Sequence, residues 1–498
     1  MPKKIILILI IFTTFDSPAI SQHRGDNLAF QGFPLQPVSG VKPIALGRAF
    51  TAMAGDIHSL FYNPAGLAEI ENLQFSINAN RSSKRWRENQ VYRPNRIYWT
   101  MAFYLEGLYT PLPENNGIWD YELAKDSAYV VNPPDLGLEP FSEEAADWQK
   151  DHDDLGFTNL AAAFPFNLMG HKMVISAAYS RIPVLDFDKN DTYLDPHIGY
   201  DAYGVMERVV TDTVRFSWSR FNRKRSGNMN NLTIGVGYTL KSKFNVGLAF
   251  NLLNGKTTDS QSLNRVGYFD IAKDNRFRFS YDTLDVAIHG ESTFQAWHLN
   301  LGAQLKLNRM RLGINITTPY TLTRKWNYQS KTTDNSRTLP APQEGKDRFK
   351  VPATYAFGIS LNPIEQFQIA FDYVFAPYRN ARFEMMPPDS TVKEWVNQDI
   401  WSAGIEYRPV RFFSLLAGYR YVSEIFVPDG AAIKDKGPAT TIYTLGAGIK
   451  LGQFGWLHLA YEMRRLKYYD SYFSNTNYVF EQYNNLLFGY TLTFLKNQ

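Results

Sequence analysis

From residue 230 onward the chain is built of segments that alternate, residue by residue, between an apolar side chain and a polar or very small one. Between Leu232 and Lys241, Leu232, Ile234, Val236, Tyr238 and Leu240 point one way and Thr233, Gly235, Gly237, Thr239 and Lys241 the other. The same pattern follows in Phe244/Val246/Leu248/Phe250, Trp297/Leu299/Leu301, Met310/Leu312/Ile314, Phe367/Ile369/Phe371, Tyr443/Leu445/Ala447 and Leu486/Phe488/Tyr490. A period of two is that of a β-strand with one greasy face. These segments run to about 9 to 14 residues, whereas a globular strand averages about 5 to 6 and a tilted membrane crossing takes about 9 to 11. Helical spans need about 20 consecutive apolar residues, which a mean hydropathy of −0.31 over 498 residues does not supply.

A β-sandwich also alternates, so the connections decide between the two. Neighbouring segments join through very short turns at Ser242, Asn308, Asn362 to Glu365, Pro409 and Gly452, while the intervening connections run over 182–229, 253–295, 319–352, 378–398, 424–439 and 465–483. Short turns on one side and long loops on the other mark an outer-membrane barrel. Counted back from the C-terminus, the segments are 484–495, 453–464, 440–451, 410–423, 399–408, 366–377, 353–362, 309–318, 296–307, 243–252, 230–241, 172–181 and 157–164. An even number requires one more. Segment 73–80 supplies it, and 97–104 is assigned to the long first loop. The predicted fold is all-β, a 14-stranded antiparallel transmembrane β-barrel over 73–498.

The N-terminus reads as a secretory signal over residues 1–21: Lys3 and Lys4, an apolar run from Ile5 to Phe12, then small residues up to Ser21. Zero cysteines exclude thiolate metal sites, disulfides and a catalytic thiol. With 52 Lys and Arg against 48 Asp and Glu, the overall charge carries no nucleic-acid footprint. No cofactor or metal is implied. The acidic run from Glu143 through Asp151, Asp153 and Asp154 lacks the spacing of an EF-hand and reads as a solvated loop.

Residues 22–72 differ in kind from the rest. Pro43 suits the first turn of a short helix and Gly55 its end, Asp56 suits the cap of a second helix through Tyr62, and Asn63-Pro64 stops it. The run Ala45-Leu46-Gly47-Arg48-Ala49-Phe50, then Ala54-Gly55-Asp56, then Tyr62-Asn63-Pro64-Ala65-Gly66-Leu67, followed at once by the first alternating strand, resembles the FadL-type family of outer-membrane transporters for hydrophobic compounds. The resemblance implies that residues 22–72 form a helical hatch in the lumen, with Asn63, Pro64, Ala65 and Gly66 at the hatch motif. It further implies uptake of long-chain fatty acids or aromatic hydrocarbons, and a lateral opening at a kink in the third strand. Here that strand, 172–181, contains no glycine, and Pro183 follows it.

Burying an alkyl chain is worth about 0.8 kcal/mol per methylene, so an apolar pocket with a polar group for the head suits such a ligand. The alternation places Arg420, Lys450, Phe454, Trp456 and His458 inward as candidate ligand-binding residues, with Asp372, Glu406 and Glu462 inward as counter-charges. The basic clusters Arg81, Lys84, Arg85, Arg87 and Arg220, Arg223, Lys224, Arg225 suit lipopolysaccharide phosphates or plain solubility. Tyr179, Trp297, Trp401 and Tyr407 suit interfacial girdles. Ser176, His298 and His458 are the triad-type residues, but no nucleophile elbow accompanies them. The reading is a passive, monomeric channel of the bacterial outer membrane for a hydrophobic molecule. The alternative is a barrel that docks or shuttles exported proteins in a secretion machinery.

Overall fold

The computed structural model describes residues 40–89, 117–119, 148–198, 213–241, 243–272, 277–332, 343–385, 395–428, 431, 433–472 and 475–494. The signal segment, residues 22–39 of the hatch and segment 97–104 lie outside the described residues. The remainder is a closed antiparallel barrel of fourteen staves. The first six are Leu73–Asn89, Trp148–Leu168, His171–Ile198, Thr213–Lys241, Phe244–Ala272 and Phe277–Lys306. The next three are each in two pieces: Met310–Thr317 with Tyr320–Thr332, Gln343–Val351 with Thr354–Ile364, and Phe367–Ala376 with Arg382–Glu384. The last five are Gln398–Val410, Phe413–Ser423, Ala439–Lys450, Gly455–Tyr472 and Asn475–Phe494. The first stave pairs with the last from Leu73↔Phe494 to Asn89↔Tyr478, which seals the cylinder and leaves no edge in the bilayer.

The three broken staves share one cause. Pro319, Pro352 and Pro377 fall in the gaps between the pieces, and the pairings Thr354↔Thr317 and Tyr320↔Val351 put the first two side by side. A proline cannot donate to the ladder. Pairing resumes beyond each break.

Outward-facing side chains form a continuous apolar belt. Leu445 is 64% exposed and Trp401 56%, with Phe357, Leu248, Phe488 and Ile175 beside them around the wall. A soluble monomer does not carry such a band, whereas a bilayer covers it. Trp297, Tyr355, Trp401, Tyr419, Tyr443 and Tyr461, all exposed, rim the loop side of the belt. This is the level at which amphipathic rings sit. No described helix is long and apolar enough to cross a membrane.

The third to sixth staves run for 28, 29, 29 and 30 residues, so at about 3.3 Å per residue they stand far above the belt. The segments 182–229 and 253–295, read from sequence as loops, are largely strand. The reason is that their inward positions carry charges that answer one another across the sheet. Arg223 donates to Asp186 at 2.9 Å and Arg225 to Asp259 at 2.7 Å, all four buried. Apolar alternation therefore stops where strand continues. The same pairing corrects the assignment of two members of the basic clusters: Arg223 and Arg225 face an internal network, while Arg81, Arg220 and Lys224 stay exposed and Arg85 meets Asp151 at 2.6 Å. Asp151, Asp153 and Asp154 lie on the second stave, paired with the first, and not in a loop.

Candidate functional site

The hatch enters the lumen as three short helical pieces, Val41–Ala45, Ser59–Tyr62 and the 3-10 turn Pro64–Glu69. The first helix stops at Gly47, φ +62°, rather than at Gly55. Arg48 follows at φ +68°, a conformation uncommon for a residue with a side chain. His58, not Asp56, is the N-cap residue of the second helix. Asp56 Oδ1 accepts from the His58 backbone N–H and meets its ring Nδ1, both at 2.8 Å. Burial opposes ionisation of Asp56, yet His58 and Lys42 hold its carboxyl far below the usual range.

Asn63 is extended and ends the helix before Pro64, and its buried amide does three jobs. Nδ2 donates to the Thr51 carbonyl at 2.7 Å and to the Ala303 carbonyl of the sixth stave at 3.2 Å, while Oδ1 accepts from Ala65 N at 3.1 Å. Pro64, Ala65 and Gly66 are all buried. Wall glycines sit against the hatch at several points. A β-carbon on Gly247 would lie 2.2 Å from Pro64 C, one on Gly313 2.2 Å from Thr51 O, and one on Gly418 2.1 Å from Gly47 N. The small residues on the polar faces of the strands thus admit the hatch backbone to direct contact with the wall.

Carboxylates on the wall and hatch complete the attachment. Asp372 accepts from the backbone N–H groups of Phe50 and Thr51 at 2.8 and 2.7 Å. Glu406 pairs with Lys42 at 3.2 Å and Arg408 at 2.9 Å. Glu462 pairs with Arg48 at 3.0 Å. Arg311 grips hatch Glu69 with both nitrogens, at 2.5 and 2.6 Å. Burial raises the Glu69 pKa, but Arg311, Lys306 and Asn245 outweigh it and bring it below the ordinary carboxylate value. The inward acids expected from sequence as counter-charges hold the hatch as well: Asp372 and Glu462 also interact with Arg420, and Glu406 with His458.

Two cavities lie on the loop side of the hatch. The smaller, about 140 Å³, is bounded below by Thr51, Phe61 and Tyr62 and on the far side by Tyr320, Val351 and Tyr378. Tyr378 belongs to a short turn that folds inward after Pro377 and packs edge-on to Trp395 at 5.8 Å, with Phe349 at 4.8 Å from the same indole. These rings form an outer cover continuous with Ile182, Val184, Met229 and Leu253. The larger cavity, about 510 Å³, lies beside the first to fourth and tenth to fourteenth staves. Arg48 and Arg420 line both.

The larger cavity adjoins a parting of the wall. The second and third staves pair only from Asn159↔Ser180 down to Leu168↔His171. Above that level the second stave stays with the first and the third with the fourth. Arg181 reaches across to Asp154 at 3.4 Å. Thr158, Arg181, Pro183 and Leu185 line the cavity there.

The five candidate lumen residues are not brought together. Arg420 is buried and lines both cavities. His458 is buried and stacks on Trp456 at 5.7 Å, neither lining a cavity described above. Lys450 is exposed at the turn end of its stave, and Phe454, 61% exposed, sits in the turn outside the stave. The strict alternation assumed for Phe454 fails because the tight turn at 451–454 resets the facing. Sequence reading missed Gln304, which donates to the carbonyls of Thr51 and Met53 at 3.1 and 2.7 Å, and the cavity amides. For Gln304 the signal was an inward amide two residues from the wall glycine Gly302.

A family profile described as BamG matches residues 198–493. No curated sequence matches the chain. Among solved structures, a Pseudomonas aeruginosa FadL homologue superposes with a TM-score of 0.58 at 11% identity, covering 92% of this chain and 98% of the other. The P. putida toluene transporter TodX gives 0.56 at 12%, covering 93% and 100%. The fold is that of these barrels.

Proposed function

This chain belongs to the BamG family, and from its outer-membrane barrel and the two cavities on the loop side of its hatch we propose that it passively admits a small hydrophobic molecule across the bacterial outer membrane. The observation that carries the reading is the continuity of cavity and wall. A chamber between hatch and outer cover shares Arg48 and Arg420 with a larger cavity, and that cavity adjoins the parting between the second and third staves. A barrel of this fold is described for a toluene transporter, which supports the same class of solute here.

Size favours a ring over a long chain. An apolar cavity of about 150 Å³ holds one benzene molecule, and the inner chamber of about 140 Å³ is of that scale. A long-chain fatty acid fits only by extending from it into the larger cavity. The larger cavity, about 510 Å³, falls within the ordinary range for ligand pockets and suits a vestibule. Each solute loses water on entering and leaves down its gradient. No nucleotide-binding motif accompanies the barrel, and diffusion supplies the drive. The hatch stays seated through Asn63 and Glu69 while the wall parting supplies the sideways path.

The test is uptake of radiolabelled toluene and oleate by cells lacking the protein, with and without a plasmid copy. Toluene uptake restored by the plasmid supports the reading. Unchanged uptake together with loss of surface-exposed proteins overturns it in favour of a docking role in protein export.

A further inference from the structure

The inner chamber has a largely hydrocarbon wall with amides set into it. Asn231, Asn251 and Asn315, on the fourth, fifth and seventh staves, all line it, and none is more than 6% exposed. They satisfy one another only in part. Asn231 Nδ2 donates to Asn251 Oδ1 at 3.1 Å, and Thr233 Oγ1 donates to the same oxygen at 2.8 Å. Among the described residues, Asn231 Oδ1, Asn315 Oδ1 and Asn251 Nδ2 have no hydrogen-bond partner. Buried polar atoms are normally paired with protein, water or ligand. Around the same cavity Arg48 Nε, His298 Nδ1 and Asp372 Oδ1 also have no hydrogen-bond partner among the described residues, and together these atoms ask for a guest that brings both a donor and an acceptor.

Ligand chemistry follows from that inventory. A bare hydrocarbon displaces water from the amides and returns nothing. A carboxylate offers acceptors only: it could receive from Arg48, Arg420 and Asn251 Nδ2, but it has nothing to give to the two amide oxygens or the Asp372 carboxyl that also line the chamber. A hydroxyl carries one donor and two acceptor lone pairs, enough to give to an asparagine oxygen and receive from Asn251 Nδ2. Ile182, Met229 and Leu253 on the same wall would cover a ring. We propose that the chamber between hatch and outer cover is a binding site for a single-ring amphiphile bearing an uncharged hydroxyl, a phenol-class molecule. This deepens the uptake reading and rests on it for the route, while the binding site stands on the geometry of the amides.

The experiment is calorimetric titration of the full-length protein in detergent with p-cresol, toluene and benzoate. Wild-type protein is expected to bind p-cresol about tenfold more tightly than toluene, the gain of roughly one added hydrogen bond. Asn251→Leu and Asn315→Leu are each expected to narrow the ratio of p-cresol to toluene affinity toward one. Toluene bound as tightly as p-cresol by the wild type overturns the proposal and leaves uptake standing, since it means that the amides are served by water alone. Benzoate bound more tightly than p-cresol also overturns it, with Arg48 and Arg420 then the recognising groups. Binding of none of the three overturns the proposal and the uptake reading together. The wild-type ligand series decides the matter even where a leucine variant does not fold.

Discussion

Asn63 of the hatch lies flush against Gly302 of the sixth stave: a β-carbon built on Gly302 would fall 2.1 Å from Asn63 Oδ1 and 2.9 Å from Ala65 N. The contact joins the hatch motif to the wall at a point where backbone and side-chain amide leave no room for a methyl. Gly302→Ala is therefore expected to unseat the hatch at this point while the barrel closes as before. Overpacking of this kind costs about 1 to 3 kcal/mol. Protease nicking of the hatch in detergent, faster in the variant with the barrel fragment intact, is the measurement; an unchanged rate counts against a fixed hatch.

The Asn63 amide itself is expected to matter more than its size. Asn63→Leu keeps the volume but removes two donated bonds and the acceptor for Ala65 N, leaving the Thr51 carbonyl to Gln304 alone. Orphaned buried groups cost about 1 to 3 kcal/mol each. Urea unfolding in detergent is expected to show a lower midpoint for Asn63→Leu, by more than for a substitution on the exposed Met169.

How far the sequence reveals this molecule depends on which force writes the pattern. Lipid on one face and a confined lumen on the other impose a period of two, so all fourteen belt segments, from 73–80 to 484–495, stand where the alternation puts them. Above the membrane nothing apolar touches the outer face, and strand continues on the strength of pairs such as Arg225 with Asp259. A hydropathy reading stops too early there. The helix break at Asn63-Pro64 is legible because Asn-Pro and glycine are local backbone signals. The chamber is not, since Asn231, Asn251 and Asn315 look like any polar inward residue until the register brings three staves together. Phe454 was misassigned for the opposite reason, because a tight turn breaks the period that the strands obey.

Acid is expected to loosen the hatch. Glu69 carries a pKa below the ordinary carboxylate value in the folded protein: burial raises it, and Arg311, Lys306 and Asn245 lower it by more. A group with a depressed folded pKa stabilises at pH above its unfolded value and loses that contribution as pH falls through the folded one. The stabilisation is thus full above about pH 5 and declines below the unfolded glutamate value of about 4.3. Proteolysis of the hatch is expected to accelerate as pH drops from about 5 to 3, and Glu69→Gln to flatten that part of the dependence. A wild-type profile that Glu69→Gln leaves unchanged assigns the effect to other carboxylates.

The belt makes a prediction about depth. Leu445, 64% exposed, faces out midway along the twelfth stave, whereas Leu451 lies at its turn end. An arginine at the bilayer midplane costs about 2 to 4 kcal/mol and near the interface about 0 to 1. Leu445→Arg is expected to reduce the folding free energy into vesicles by several-fold more than Leu451→Arg, read from denaturant titrations by tryptophan fluorescence.

Arg181 and Asp154 bridge the parting of the second and third staves at 3.4 Å, with side chains 30% and 24% exposed. A pair so placed is worth about 0.2 to 1 kcal/mol. On a two-state view the closed form is then favoured by less than about fivefold through this contact, too little to act as a lock. Arg181→Ala is therefore expected to raise uptake of a small aromatic solute by no more than a few-fold. A bulky substitution at Thr158, which lines the cavity beside the parting, is expected to reduce uptake sharply if solute leaves sideways. Thr158→Trp with unaltered uptake would remove the lateral path and leave the hatch as the only exit to consider.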